Sequence, residues 1–285
     1  MGESMQKPAA AAYRTALTEN DLQEVRRLEK EGAAAGIRYK IDPGTDGGIV
    51  LDVEGALAGF MTADCFDGKT VESAAIARDE SDWSEMAAAL VAFARGRAAE
   101  RILFIADPHD QPVVRKLESI GLIPSFSEYR MTFEAAAFSP AAVRGVSLVQ
   151  ATESDRDFVA AMDREAFNGS PSDACDMGDT RIVVRDGRRV GKLRVGGAGG
   201  VLGIYGLVVE PCSRGQGIGA QAMTLILGEL IGRGASQIYL EADSLNIHAL
   251  RLYQRLGFVT ASEFRYYPYD LSAQNRMHSP VASQS

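Results

Sequence analysis

The sequence predicts a mixed α/β protein composed of two tandem domains, each with a central sheet. The first observation is an internal repeat: when the chain is aligned with itself, Arg78 coincides with Arg214 and Gly121 with Gly257. The second is that the later half alternates strand-like and helix-like segments. The third is size, because 285 residues with 46% apolar side chains are enough for two ordinary hydrophobic cores.

The boundary between the repeats is expected in residues 135–145, where alanine, proline and glycine interrupt the periodic pattern. The predicted domains are therefore 13–138 and 139–272. A flexible N-terminus at 1–12 precedes them, and a polar tail at 273–285 is predicted to be disordered.

In the second half, period-2 runs predict strands and longer period-3.6 runs predict helices. Thr152 is a suitable N-cap for the first of these helices, as Thr18 is in the first half. The predicted strands are 146–151, 180–186, 189–195, 201–209, 236–242, 258–261 and 264–271. The predicted helices are 153–167, 217–232 and 246–256, with an irregular stretch at 168–179.

The composition excludes several classes of function. A formal net charge of −8 argues against nucleic acid and anionic membrane as partners. The three cysteines are widely spaced, so neither a disulfide framework nor a metal site is expected. No run reaches the ~18 apolar residues of a membrane span, and the start has no signal-peptide core. A cytoplasmic protein without metal is the expectation.

The most informative stretch is Arg214-Gly215-Gln216-Gly217-Ile218-Gly219. It lies between an apolar strand-like run and a helical pattern. Glycines permit a left-handed backbone and close approach by a ligand, while free N–H groups at a helix start point at an anion. The stretch predicts a phosphate-binding loop, with an ordinary tight turn as the alternative.

Two nucleotide-binding alternatives fail. No Gly-Lys-Ser/Thr closes the loop, which excludes a P-loop. Gly215, Gly217 and Ala220 satisfy the relaxed dinucleotide fingerprint, and Glu241 lies downstream of them. That fold needs several further parallel strands with crossover helices, and the remaining chain is too short for them.

A second motif decides the interpretation. Its pattern is Asn246-x-x-Ala249-x-x-Leu252-Tyr253-x-x-x-Gly257-Phe258, and it follows a strand. With Val209-x-Pro211-x-x-Arg214-Gly-x-Gly-x-Gly before it, this order resembles the GNAT (Gcn5-related) N-acetyltransferases. The resemblance implies a mostly antiparallel mixed sheet flanked by helices in each domain. The tandem layout, with an eroded first half, is similar to that of the mycothiol synthases.

The resemblance implies that the ligand is acetyl-CoA. Its pyrophosphate would bind the N–H groups from Arg214 through Gly219, namely those of Arg214, Gly215, Gln216, Gly217, Ile218 and Gly219. Its pantetheine arm would run along the backbone of Leu207, Val208 and Val209, in a space where two strands splay apart. Asn246 would contact the arm, or act only as an N-cap.

The resemblance also implies that Tyr253 donates a proton or hydrogen bond to the departing thiol. Because a tyrosine is a weaker acid than a thiol, we interpret Tyr253 as a hydrogen-bond donor to the developing thiolate. Several members of the family carry a catalytic Glu where this chain has Gly203. Tyr205 acting through water, Glu241 and a water chain are the candidates for the missing base.

The first half is expected to retain the fold without this chemistry. It replaces the loop glycines with residues 79–83 (Asp-Glu-Ser-Asp-Trp), and Leu117 stands where the second half has Tyr253. A carboxylate ~5 Å from a phosphate repels it by about 3 kcal/mol at an effective dielectric of ~20. That exceeds the ~0.3–1 kcal/mol that a helix terminus contributes per charge. A structural role is expected, with a repurposed pocket as the alternative.

The function that these residues favour is that of an acetyl-CoA-dependent N-acetyltransferase, acting on a primary amine of a small molecule in a ternary complex. Asp173, Asp176 and Asp179 form an acidic stretch where the family places its acceptor, so a cationic acceptor is expected. A protein or peptide acetyltransferase and a non-catalytic CoA-binding sensor or scaffold are the alternatives.

Overall fold

The computed structural model describes residues 10–41, 47–54, 56–65, 68–166 and 177–272. Residues 1–9 of the predicted flexible start, most of the predicted irregular stretch and the predicted disordered tail lie outside these ranges. Residues 10–12, also expected to be flexible, belong to a strand that begins at Ala10. No helix of the described residues is long and apolar enough to cross a membrane.

The chain forms two compact units whose boundaries differ from those of the sequence repeat. Unit 1 contains residues 1–127 and 263–285, and unit 2 contains residues 128–262. The predicted division between 138 and 139 follows the repeat. The compact units instead follow strand pairing, because the last strand of each sequence half pairs with strands from the other half.

Unit 1 is a mixed sheet with helices α1 to α3. Its strand order is β1-β2-β3-β4-β5, followed by the C-terminal part of β12. Among the described strand pairs of this unit, β4 and β5 are parallel and the others are antiparallel. Its elements are β1 (Ala10–Arg14), α1 (Glu19–Ala34), β2 (Gly48–Val53), β3 (Ala56–Met61), β4 (Thr70–Ile76), α2 (Glu80–Gly96), β5 (Arg101–Ala106) and α3 (Gln111–Ser119), completed by β12 (Phe258–Asp270).

Unit 2 repeats this plan with longer strands. Its order is β6-β11-β10-β9-β8-β7, and only the β10–β11 pair is parallel in its register. Its elements are β6 (Phe126–Phe133), β7 (Val146–Gln150), α4 (Arg156–Ala166), β8 (Thr180–Arg185), β9 (Arg188–Ala198), β10 (Val201–Val209), α5 (Ile218–Gly232), β11 (Gln237–Asp243) and α6 (Ile247–Arg255). The predicted fold class, mixed and mostly antiparallel sheets flanked by helices, is confirmed. The two predicted C-terminal strands are one continuous strand, β12.

The position of α5 is fixed by an almost wholly apolar surface. Its buried side chains pack on the sheet residues Ile204, Ile238 and Leu240. Those of α5 itself are Ile218, Ala222, Met223, Ile226, Leu227 and Leu230. Removing this much apolar surface from water contributes ~1.5–3 kcal/mol for each large side chain. The helix therefore cannot tilt freely, and its first turn is held at the end of β10.

Side-chain caps start helices α1, α3 and α6, whereas the predicted cap Thr152 precedes a short 3₁₀ turn ahead of α4. Thr18 caps α1, since its hydroxyl accepts from the N–H of Asp21 at 3.2 Å. Asp110 caps α3 by accepting from the N–H of Val113, and it is nearly fully buried. Burial is the main cause that raises the pKa of Asp110 to about 6, and the nearby carboxylate of Asp107 raises it further. The repeat places Asn246 at the corresponding cap of α6.

The Asp110→Asn variant should therefore be more stable than the wild type at neutral pH. The pKa of Asp110 is higher in the folded state than its ordinary 3.8, so its charge opposes folding increasingly between pH 4 and pH 6 and fully above that. An amide accepts the same N–H without a charge. We expect a gain of about 1–3 kcal/mol, or a few degrees in Tm, at pH 7.5 and none near pH 3.5.

Thermal unfolding across this pH range measures the effect. Asp79→Asn is the control with the opposite sign, because the N–H groups at the start of α2 lower the pKa of Asp79. Its variant should lose stability at neutral pH. A Tm difference for Asp110→Asn that is constant with pH would contradict the electrostatic explanation.

Candidate active site

The loop between β10 and α5 is open and left-handed at two glycines. Gly215 has φ +76° and Gly217 has φ +73°, a region that residues other than glycine rarely adopt. The loop is exposed, and no side chain of the described residues caps the first turn of α5. The N–H of Arg214, one of the predicted phosphate-binding groups, donates to the carbonyl oxygen of Pro211 at 3.3 Å. The N–H groups that follow it, at the uncapped start of α5, are placed to meet an external anion.

Two cationic side chains lie at this loop. Arg214 donates from Nε to the carbonyl oxygen of Val209 at 2.8 Å and from Nη2 to Glu165 of α4 at 3.0 Å. Arg185 of β8 donates to the amide oxygen of Gln216 at 2.9 Å. Sequence reasoning found Arg214 from its motif but missed Arg185, which lies in a separate strand with no motif around it.

The two central strands of unit 2 separate halfway along their length. Parallel pairing of β10 with β11 begins at Val201 and ends at Ile204, opposite Leu240. Both strands continue beyond that point. On its other side, β10 carries a bulge between Tyr205 and Val208 in its register with β9. The result is an opening between the second halves of β10 and β11.

The strand pairing of β10 determines which of its backbone groups face this opening. The N–H of Glu210 donates to the carbonyl oxygen of Val190 in β9 at 2.9 Å. Because successive residues of a strand direct their N–H and C=O groups to opposite edges, Leu207 and Val209 direct theirs to the opening, where the carbonyl oxygen of Val209 accepts from Arg214 Nε. Val208 instead pairs with Lys192 of β9 and buries its side chain.

Helix α6 lies on the same face of the sheet as α5. Asn246 is exposed and caps α6, accepting from the N–H of Ala249 at 3.1 Å. Tyr253 follows two turns along the helix and packs against Phe258, with ring centroids 6.0 Å apart. Its hydroxyl has no hydrogen bond to any residue that the structure describes. Burial raises the pKa of Tyr253 to about 12, so the side chain is a neutral donor at physiological pH.

Tyr205 fills the space left by the missing side chain at position 203. A Cβ atom at Gly203 would fall well inside van der Waals distance of the Tyr205 ring and hydroxyl. The Tyr205 hydroxyl is hydrogen-bonded to that of Tyr239 in β11. The Tyr205 side chain thus occupies the space into which a Glu at position 203, as the resemblance implies for several family members, would extend.

Glu241 belongs to the same network as Tyr205. Arg130 of β6 donates to Glu241 Oε1 from Nε at 3.0 Å and from Nη2 at 2.7 Å. The same guanidinium lies 5.1 Å from the ring centroid of Tyr239. We name these four residues, Tyr205, Tyr239, Glu241 and Arg130, the mouth network. Sequence reasoning identified Tyr205 and Glu241 and missed the other two.

The mouth network and Tyr253 lie on opposite faces of the sheet. Leu240 and Ala242 face the core against which Tyr253 packs, so the alternating Tyr239 and Glu241 point to the other face. The structure therefore places the two candidate bases on one face, linked through Tyr239 and Arg130, and the candidate donor on the other.

A buried ion pair supports the bulge. Lys192 of β9 is fully buried and bonds to Asp163 of α4, which also accepts from Arg194 at 3.3 Å. The position of a Cβ on Gly206, which has φ +52°, would be only 3.0 Å from the Lys192 ammonium nitrogen. Sequence reasoning missed this cluster, because its members come from three elements that no motif connects.

The predicted acidic stretch is only partly described. Asp173 and Asp176 lie outside the described residues. Asp179 is exposed in a short helical turn that precedes β8. Among the residues of known placement, no group of His, Cys, Asp and Glu could hold a metal ion.

Unit 1 closes both features that unit 2 leaves open. Strand β4 ends at Ile76, two residues after its last pairing with β5. Asp79 then caps α2 by accepting from the N–H groups of Ser81 and Asp82 at 2.8 and 2.9 Å. The Asp79 carboxylate therefore binds the N–H groups at the start of α2, whereas the equivalent helix of unit 2, α5, has no side-chain cap.

Comparison with known proteins supports the sequence resemblance. Residues 152–258 match the profile of the family described as "Acetyltransferase (GNAT) family". The mycothiol acetyltransferase of Mycobacterium avium (strain 104) is 42% identical over 69 residues, which are 21% of this chain and 21% of that protein. The [ribosomal protein bS18]-alanine N-acetyltransferase of Escherichia coli (strain K12) is 35% identical over 66 residues, which are 23% of this chain and 45% of that protein. These matches span less than half the length of either relative.

The fold has solved counterparts along nearly its whole length. A GCN5-related N-acetyltransferase from Sphaerobacter thermophilus superposes with a TM-score of 0.72 and 16% identity, covering 92% of this chain and 96% of that one. A tandem GNAT protein from the clavulanic acid biosynthesis pathway superposes with a TM-score of 0.69 and 15% identity, covering 93% of this chain and 99% of that one. At these identities the likeness concerns the fold alone. Residues 152–258 therefore match the GNAT family, and the chain as a whole shares the fold of solved GNAT proteins, one of which is a tandem GNAT protein.

Proposed function

We propose that this protein transfers an acetyl group from acetyl-CoA to a primary amine of a small molecule, using unit 2. The observation that carries the proposal is the opening between β10 and β11, which leads to the uncapped start of α5. A slot with exposed backbone groups and an anion site at its end suits a long ligand that carries a pyrophosphate.

The residues present fit acetyl-CoA. The pyrophosphate would be held by the N–H groups from Gly215 to Gly219, with the Arg214 side chain beside them, and the pantetheine arm by the backbone of Leu207 and the N–H of Val209. Asn246 would contact the arm beside its capping bond. When bound, acetyl-CoA supplies a thioester carbonyl that an amine can attack, with CoA leaving as the thiol.

The protein's own side chains would manage the protons. The acceptor arrives as an ammonium, so it must lose a proton before its nitrogen forms the new bond to carbon as the carbon–sulfur bond breaks. Glu241 would take that proton, or the hydroxyls of Tyr205 and Tyr239 would pass it through water to solvent. A second proton, which the nitrogen loses as the amide forms, would end on the departing sulfur. Tyr253, on the other face and neutral because its pKa is about 12, would donate a hydrogen bond to the departing sulfur.

The acceptor is proposed to be cationic, since the acidic stretch that includes Asp179 precedes β8 at one end of this region. Two alternative functions are also proposed for test. By their names, the relatives act on a small molecule and on a ribosomal protein, so a protein or peptide amine is the second candidate. A CoA-binding sensor without turnover is the third, because Gly203 replaces the family's Glu. A screen of amines with acetyl-CoA, monitored by thiol release, separates a catalyst from a sensor.

The glycine loop should be essential for acetyl-CoA binding. Gly217→Asp places a carboxylate at the start of α5, where it should repel the pyrophosphate and abolish binding measured by calorimetry. Gly217→Asn is the matched control, since it has the same size and tolerates the left-handed backbone similarly without a charge. It should retain part of the affinity.

The corresponding edit in unit 1 should create no second site. Ser81→Gly adds a glycine, but the carboxylate of Asp79 still occupies the start of α2. Calorimetry that finds two acetyl-CoA sites per chain, or equal binding by the Gly217→Asp and Gly217→Asn variants, would show the proposed location to be wrong.

Tyr253 should affect turnover rather than binding. Tyr253→Phe keeps the ring contact with Phe258 and removes only the hydroxyl, so the free energy of unfolding should hardly change. We expect kcat to fall by roughly 10²–10⁴-fold with little change in acetyl-CoA affinity. Near wild-type turnover in this variant would leave Tyr253 with a packing role only.

A further inference from the structure

The mouth network carries charges of both signs at the opening where the acceptor must arrive. The side chains of Arg130 and Glu241 are 28% and 16% exposed, so solvent and small solutes reach them. Tyr205 is also partly exposed. An acceptor whose nitrogen enters the opening from this face must meet a guanidinium and a carboxylate side by side.

The fold itself does not require this ion pair. In unit 1 the same register positions hold Ile105 opposite Tyr266, which pack in an apolar cluster. Unit 2 has Glu241 opposite Arg130 at the corresponding place. Partly buried charges are costly to desolvate, and apolar residues can replace such pairs without loss of stability. An ion pair kept only in the unit with the open strands therefore points to a role toward a ligand.

The face that carries the mouth network holds charges of both signs, which suits an acceptor with an anionic group in addition to its amine. Arg194 lies opposite Tyr205 on this face, and Lys192 lies two residues from it. The cationic side chains of the face include Lys192, Arg194 and Arg130, and the anionic ones include Asp163, Glu241 and the opposed pair Glu128 and Asp243. A simple amine would pair only with the anionic groups, but a zwitterion pairs with both signs.

We propose that the acceptor is an amino carboxylate, such as a free amino acid, and that Arg130 determines this specificity. Its planar guanidinium binds the carboxylate of the acceptor, while Glu241 and Tyr205 receive the ammonium. The proposal rests on the proposed function and names its substrate class. The residue that would recognise the acceptor, Arg130, lies in β6, which precedes the family-matched segment 152–258.

Matched pairs of acceptors test the proposal. The common L-amino acids are compared, each with its C-terminal amide, in acetyl transfer from acetyl-CoA at one pH. The amide keeps the amine and side chain and loses only the carboxylate. We expect the acid of at least one pair to be preferred by roughly 10–100-fold in kcat/KM, the ratio expected for a charged hydrogen bond. The preferred acid should also bind in calorimetry with CoA present.

Variants of Arg130 assign the preference to this side chain. Arg130→Met should reduce the acid-to-amide ratio to about one while leaving the acetyl-CoA affinity unchanged. Arg130→Lys keeps the charge and should restore part of the ratio. Loss of activity toward acids and amides alike in Arg130→Met, with the ratio kept, would give Arg130 a structural role and overturn the proposal.

The outcomes separate this proposal from the proposed function. Amides or simple amines that react as well as the acids would overturn the amino-carboxylate class and leave acetyl transfer intact. Acetyl-CoA binding without transfer to any acid, amide or amine would overturn both and favour the CoA-binding sensor. Absence of acetyl-CoA binding would reject the site itself.

Discussion

The separation of β10 from β11 after Ile204 is the constraint on which the rest of the site depends. Where two strands stop pairing, their backbone N–H and C=O groups lose their hydrogen-bond partners. This raises the free energy of the folded state unless water or a ligand bonds to those groups. In unit 2 the bulge at Gly206 and the buried Lys192–Asp163 pair hold the strands in this arrangement. Helices α5 and α6 then frame the opening from one face, and the mouth network frames it from the other.

Local features of this site could be predicted from the sequence, whereas those that depend on distant elements could not. The glycine loop, Asn246 and Tyr253 follow one another along the chain, so their spacing alone indicates strand, turn and helix. Arg130 meets Glu241 only through strand pairing between segments far apart in sequence. The missing side chain at position 203 is visible in the sequence, but that Tyr205 fills the space depends on a side-chain orientation that no pattern specifies.

The two units show how one fold can keep or lose a site with few changes. Asp79 places a carboxylate on the N–H groups of α2, so that helix start is satisfied from within. On the opposite face, Ile105 and Tyr266 convert the counterpart of the charged pair into an apolar cluster, where Phe126 stacks on Tyr266 at 4.3 Å. The first change supplies a hydrogen-bond acceptor to N–H groups of α2, and the second buries apolar side chains against each other. Unit 2 leaves the start of α5 without a side-chain cap and its charged pair partly exposed, as a binding site requires.

The placement of the last strand has a consequence for the order in which the protein can fold. Strand β5 of unit 1 pairs with Arg265–Asp270 of β12, which the ribosome makes after all the other strands. Domains generally fold as their residues emerge during synthesis, but unit 1 lacks this edge until β12 is available. Its apolar cluster around Ile105, Phe264 and Tyr266 stays incomplete while unit 2 is being translated. The earlier half of the chain therefore contributes most of the unit that is completed last, and the edge of β5 is open to non-native strand pairing until β12 is made.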